Sequence, residues 1–227
     1  ETTVNFVDGR EIVYTDPVEF YLSGDIFEEG RVELTATDGT TTYATQAAAH
    51  MIMPGTQLTL TATPAAGYTM AGYVETVNGV EKYFAENAYT VTAAGASVAA
   101  YAVTDANKWD MTVVNAANIP FTLTDPWNRD VTSSLTGLYG AGDAVEYKLV
   151  LGDIPADYDA STLVVKLGED VLTAENGAYA IASAENATLT IRESILKCSA
   201  RPPHTPAIFL SVEDKANFFS ILSILYI

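Results

Sequence analysis

The chain has 227 residues, 48% hydrophobic and 18% charged, which suits two ordinary cores of about 100 residues each rather than one minimal module. Its 29 acidic against 11 basic side chains give a net charge of −18, a field that repels phosphate backbones and anionic bilayers and so argues against nucleic acid and membrane insertion as modes of action. One cysteine, Cys198, excludes an internal disulfide framework and a multi-cysteine zinc site, and no apolar run approaches the roughly 20 residues of a spanning helix.

The chain opens at Glu1 without an initiator Met, a basic n-region or an apolar h-region, and reads as a processed or trimmed fragment. Residues 1–29 carry two short strand patterns, at Asn5–Arg10 and Val18–Leu22, that either complete the first module or end a preceding one. Val32, Leu34 and Ala36 then alternate with Glu33, Thr35 and Thr37, the period-two mark of a strand with one buried face. The Ala-rich stretch Tyr43–Met53, stopped by Pro54-Gly55, is expected as a short helix. Leu58, Leu60 and Ala62 alternate with threonines. Asn78-Gly79 between Val77 and Val80 is the strongest short hairpin signal, since both central residues of that turn need positive φ.

Alternation returns at Val145, Tyr147, Leu149 and Leu151, and Gly168-Glu169-Asp170 parts Leu163–Leu167 from Val171-Leu172. Asn176-Gly177 precedes Tyr179–Ile181, and Leu189 and Ile191 form a closing strand. Composition breaks near residue 192: 26 acids and 7 bases before it, 3 and 4 after it. Ser211-Val212-Glu213-Asp214 ahead of an apolar run has the form of a helix start, with Ser211 as N-cap. A docking element, a truncated further domain and a stretch of foreign coding origin all fit this tail.

Self-similarity organises the body. Ala85–Val91 recurs about 90 residues later as Ala174–Ile181, and the turn and strand Pro54–Leu60 match Ala141–Tyr147 in pattern. The chain is therefore read as all-β, with two tandem small β-sandwich or β-grasp-like modules, 30–105 and 106–192, preceded by the strands of 1–29. A short C-terminal helix is expected in the tail, 193–227.

The first module resembles the bacterial surface repeats related to internalin B-repeats. The residues that carry the likeness are Gly55–Pro64, then Gly67-Tyr68-Thr69-Met70-Ala71-Gly72-Tyr73, then the closing Ala99-Ala100-Tyr101. Met70 stands where the family pattern has Phe, and Tyr73 where it has Trp. The resemblance implies a secreted or wall-attached bacterial protein in which such repeats serve as spacers or adhesive units, and it transfers no catalytic residue.

Candidate chemistry is sparse. His50 and His204 are the histidines available to activate a nucleophile, and neither they nor Cys198 sit in a recognisable signature. Two loops cluster hard oxygen ligands of the type calcium takes: Asp125, Asn128 and Asp130, and Asp153, Asp157 and Asp159. Turn formation explains the same residues, so no cofactor is expected and calcium is the metal to test. Trp109 and Trp127 are the candidates to stack on a sugar ring, with packing at the module junction as the competing reading. Lys148 and Asn186 are the pair to consider for an isopeptide crosslink.

The function expected is a non-enzymatic structural or adhesive module of a bacterial cell-surface or secreted protein, extracellular or wall-attached. Its partners would be an extracellular protein or glycan and the neighbouring modules of a longer chain. The alternative is a carbohydrate-binding accessory module of an exported enzyme, and a hydrolase has only the abundance of acids behind it.

Overall fold

The computed structural model describes residues 2–7, 10–27, 30–92, 95–116, 118–156 and 158–193. Cys198, His204 and the helix expected from Ser211 lie outside the described residues. Strands β1 (Thr2–Val7) and β2 (Arg10–Thr15) form an antiparallel hairpin that is a sheet of its own.

The first module contains β3 (Val18–Asp25), β4 (Val32–Thr37), β5 (Thr42–Ala44), β6 (His50–Ile52), β7 (Gln57–Pro64), β8 (Tyr68–Val77), β9 (Val80–Phe84), β10 (Ala88–Thr90) and β11 (Ala96–Thr104). They make two sheets, ordered β10-β7-β4-β5 and β6-β3-β11-β8-β9. The alternation read in the sequence is what lets them face each other. Leu34, Leu58, Leu60 and Tyr89 point inward from one sheet, and Phe20, Leu22, Val98 and Ala100 from the other, while Glu33, Thr59 and Thr61 face solvent. Phe20 stacks on Tyr89 with ring centroids 5.6 Å apart. Val18–Asp25 thus completes this module, because β3 pairs with both β6 and β11.

The helix expected over Tyr43–Met53 is absent. That stretch gives β5 and β6 instead, with His50 opposite Phe20 and Ile52 opposite Val18. An isolated helix of this length is marginal in water. Pairing with β3 satisfies the backbone and buries Ile52 in the core, so tertiary context overrides the helix propensity of the alanines. At the tip of β8 and β9, Asn78 (φ +50) and Gly79 (φ +77) form the expected two-residue turn, with Val77 opposite Val80.

The second module contains β12 (Met111–Asn115), β13 (Phe121–Thr124), β14 (Tyr147–Leu151), β15 (Leu163–Leu167), β16 (Asp170–Leu172), β17 (Tyr179–Ile181) and β18 (Ala187–Glu193). Its sheets are ordered β12-β18-β15-β16 and β13-β14-β17. Val165, Leu189 and Ile191 of the first meet Leu123, Leu149 and Ile181 of the second in a common core. Each of these strands has a counterpart in the first module: β12-β18-β15-β16 repeats β3-β11-β8-β9, and β13-β14-β17 repeats β4-β7-β10. The duplicated tyrosines hold equivalent places, Tyr89 opposite Leu58 on β10 and Tyr179 opposite Leu149 on β17. The first module adds β5 and β6. In both modules the opening and closing strands lie side by side and parallel. Among the described residues no helix is long and apolar enough to cross a membrane.

Candidate functional site at the module junction

Between β11 and β12 the chain runs from Thr104 to Asp110 through a 3-10 turn, Asp105–Asn107. This link is clamped by Asp143, which ends a second 3-10 turn, Ala141–Asp143, and is 2% exposed. Asp143 Oδ1 accepts hydrogen bonds from Arg31 (3.0 Å) and from the Thr104 hydroxyl (3.0 Å). Its Oδ2 accepts from the Thr104 backbone N–H (2.9 Å) and the Asn107 side-chain amide (3.0 Å), and its backbone carbonyl accepts from the Tyr101 hydroxyl (2.6 Å). One carboxylate therefore joins the first module, the link and the second module. Burial pushes its pKa up, but the bonds from Thr104, Asn107 and Arg31 outweigh that and hold it below the ordinary carboxylate value. The close approach also requires Gly140, where a Cβ would collide with the Asn107 carbonyl oxygen.

Beside Asp143 the second module's core continues into the first. Ala71, Val74, Tyr101 and Val103, from β8 and β11, belong to the same buried cluster as Leu123, Leu149 and Ile191. Trp127, 4% exposed, meets Tyr101 edge to face with centroids 4.9 Å apart, and also contacts Tyr83 and Tyr139. Its indole occupies the space a side chain at position 72 would need, since a Cβ on Gly72 would run into Trp127 Nε1. That nitrogen is buried with no hydrogen-bond partner among the described residues. The Arg129 guanidinium lies 5.4 Å from the Trp127 ring centroid.

The residues singled out in the sequence fall into place around this junction. Trp109 is 1% exposed in the second core, and its Nε1 donates to the Tyr139 carbonyl (2.9 Å). With both indoles buried, neither offers a face to a sugar ring, so the packing reading of these residues is the one the structure supports. Asp125 is buried too, and its oxygens are occupied. Oδ1 accepts from the backbone N–H groups of Trp127 (3.0 Å) and Arg129 (2.9 Å), and Oδ2 accepts from Arg129 Nε (2.6 Å). Asn128 supplies the left-handed residue of that turn at φ +62. Exposed Asp130 accepts from the Thr132 N–H (2.9 Å).

In the other loop, Asp159 caps the 3-10 turn Ala160–Thr162 by accepting from the backbone and hydroxyl of Ser161. Asp153 is exposed, and Asp157 lies outside the described residues. Among the described residues no three His, Cys, Asp or Glu side chains gather as a metal-binding group. Asp125, Asp130 and Asp159 each accept from the backbone N–H two residues on, as in Asx turns.

Lys148 is exposed on β14, whereas Asn186 precedes β18 in the opposite sheet and accepts from the Asp110 N–H (2.7 Å). His50 braces the turn between β5 and β6, with Nε2 2.9 Å from the Ala44 carbonyl and its ring against Tyr43.

Arg31, Asn107 and Asp143 carry no signature that singles them out in the sequence. The pattern of Ala141–Tyr147 predicts a turn Gly leading straight into an alternating strand. The structure instead makes it a 3-10 turn ending in left-handed Ala144 (φ +55), and the strand begins only at Tyr147. The two glycines flanking Ala141 were the available signal of a close backbone approach.

Residues 31–104 match the family described as the divergent InlB B-repeat domain. No curated protein matches the chain. Among solved structures, the pilus adhesin SpaC from Lactobacillus rhamnosus GG aligns at 11% identity with a TM-score of 0.26, over 83% of this chain and 33% of that one. This chain thus spans about a third of the adhesin's length. The family match begins at Arg31 and ends at Thr104, the two residues of the first module whose side chains bind the Asp143 carboxylate, and covers the Gly67–Tyr73 stretch of β8: residues 31–104 form a divergent domain related to the internalin B-repeats.

Proposed function

We propose that the chain is a non-enzymatic structural module of a bacterial cell-surface or secreted protein, whose task is to hold two β units in one fixed orientation. The observation that carries this reading is the junction. A buried carboxylate bonded to the first module and the link, and an apolar core running from the second module into β8 and β11, leave no free hinge between the units. The match to the InlB B-repeat family supports placement at a bacterial surface, extracellular or wall-attached, among neighbouring modules of a longer chain.

Residual dipolar couplings on the full chain test the reading. One alignment tensor should fit the amides of both modules, and two independent tensors would refute it. An adhesive role towards an extracellular protein or glycan extends the same reading: deleting residues 18–193 from the parent protein should then reduce attachment of the cells, and unchanged attachment leaves a spacer. The carbohydrate-binding alternative loses its candidate residues, because Trp109 and Trp127 are both core side chains.

A further inference from the structure

A spacer on a cell surface transmits tension along its chain, and the topology of both modules bears on how they would carry it. In an end-to-end pull, force enters each module through its first strand and leaves through its last. In the first module these are β3 and β11, adjacent and parallel, with Phe20, Tyr21, Leu22, Ser23 and Asp25 opposite Ala96, Ser97, Val98, Ala99 and Ala100. In the second they are β12 and β18, again adjacent and parallel, in an uninterrupted register from Met111 opposite Ala187 to Asn115 opposite Ile191. Pulling the start of one parallel strand against the end of its neighbour slides the strands along each other. Every rung is then loaded at once and must fail together. An antiparallel pair pulled at its open end opens one rung at a time.

We infer that residues 18–193 are a load-bearing unit in which β3–β11 and β12–β18 act as two shear clamps in series. Further contacts reinforce both clamps. The Asp25 carboxylate crosses to the Ala102 N–H (2.8 Å), Ile26 N–H donates to the Ala100 carbonyl (3.0 Å), and Ser23 Oγ lies 3.3 Å from Ser97 Oγ. At the second clamp, Ala187 N–H donates to the Asp110 carbonyl (3.1 Å) and Asp110 N–H to Asn186 Oδ1 (2.7 Å). The link that passes force from β11 to β12 is itself pinned to Asp143 through Thr104 and Asn107. Both modules share this arrangement, although the first adds β5 and β6.

The inference rests on the structural reading above and is tested by single-molecule force spectroscopy on the full chain in a Cys198→Ser background, with two pairs of attachment points. In the first, handles at the two termini shear both clamps. Opening Val18–Thr104 or Met111–Glu193 should each release about 30 nm of chain, at ~3.6 Å per residue. The β1–β2 hairpin, loaded at its open end where Thr2 faces Thr15, serves as an internal unzipping reference. In the second, handles at Ser161→Cys and the C-terminus pull β15 and β18 from the end where Leu163 faces Glu193, which unzips the second module.

The two large events under terminal pulling should occur at no less than twice the force of S161C unzipping at the same loading rate. Rupture at or below the unzipping force overturns the inference. The two readings fail separately: a single alignment tensor with weak shear rupture removes the load-bearing role and leaves the spacer, whereas independent tensors remove the fixed spacer whatever the rupture force.

Discussion

Replacing Asp143 by Asn keeps the shape of the junction and removes one acceptor. Both carboxylate oxygens are occupied by donors: Oδ1 by Arg31 and the Thr104 hydroxyl, Oδ2 by the Thr104 backbone and the Asn107 amide. The hydroxyl can turn to donate elsewhere and the Asn107 amide can flip, but the Thr104 N–H and the Arg31 guanidinium can only donate. Whichever way the introduced side-chain amide is oriented, its NH2 group therefore faces a donor that has no alternative. The loss is one bond to a charged group, about 1.5–3 kcal/mol, or one buried N–H left unsatisfied, about 1–3 kcal/mol. A total near 2–4 kcal/mol follows when the lost charge pairing with Arg31 is included.

With a urea slope of about 2 kcal/mol/M, that cost lowers the unfolding midpoint by roughly 1–2 M. The buried indoles of Trp109 and Trp127 report it by fluorescence. The sign with pH is fixed by the direction of the shift. The pKa of Asp143 is lower in the folded state, so its contribution is present above the unfolded value near 3.9 and is lost as pH falls through the folded value. The gap between wild type and D143N should therefore be full at pH 7 and close in acid. A midpoint unmoved at pH 7, or a gap that widens on acidification, would contradict this view of the junction.

Gly72→Ala should push Trp127 out of its seat, lowering stability by about 1–3 kcal/mol as overpacking does and changing indole emission in the folded state; unchanged emission and midpoint would mean that the indole does not rest on β8. Leu149→Ala, at a fully buried site facing Leu123 across β13–β14, should cost about 2–5 kcal/mol, read from the same urea titration. Calcium at millimolar concentration should leave the thermal midpoint in place, because the Asp125 oxygens already hold three donors. A calcium-dependent rise abolished by Asp130→Asn would reinstate that loop as a site.

Local rules reach far into this fold, and their reach has a physical limit. The alternation of Val32, Leu34 and Ala36, and of Leu58 and Leu60, is enough to assign buried faces, because a strand turns successive side chains to opposite sides whatever it pairs with. Asn78-Gly79 and Asn176-Gly177 declare their turns because both residues of each pair take positive φ, a demand that few residue types meet. The recurrence of the Tyr-bearing strand points to the strand order that the two modules share, and the Gly67–Tyr73 pattern to the family that residues 31–104 match.

Other features depend on partners distant in the chain. The alanines of 43–53 favour a helix until β3 offers a sheet edge. Trp109 and Trp127 look like ligand-binding aromatics until Tyr101, Tyr139 and Gly72 close over Trp127 and the second core encloses Trp109. Asp143 is one acid among 29 until folding brings it to Arg31, 112 positions away. Periodicity and turn chemistry act within a few residues and can be read there. Which buried donor meets which acceptor is decided by the packing of whole sheets, and that information exists only in three dimensions.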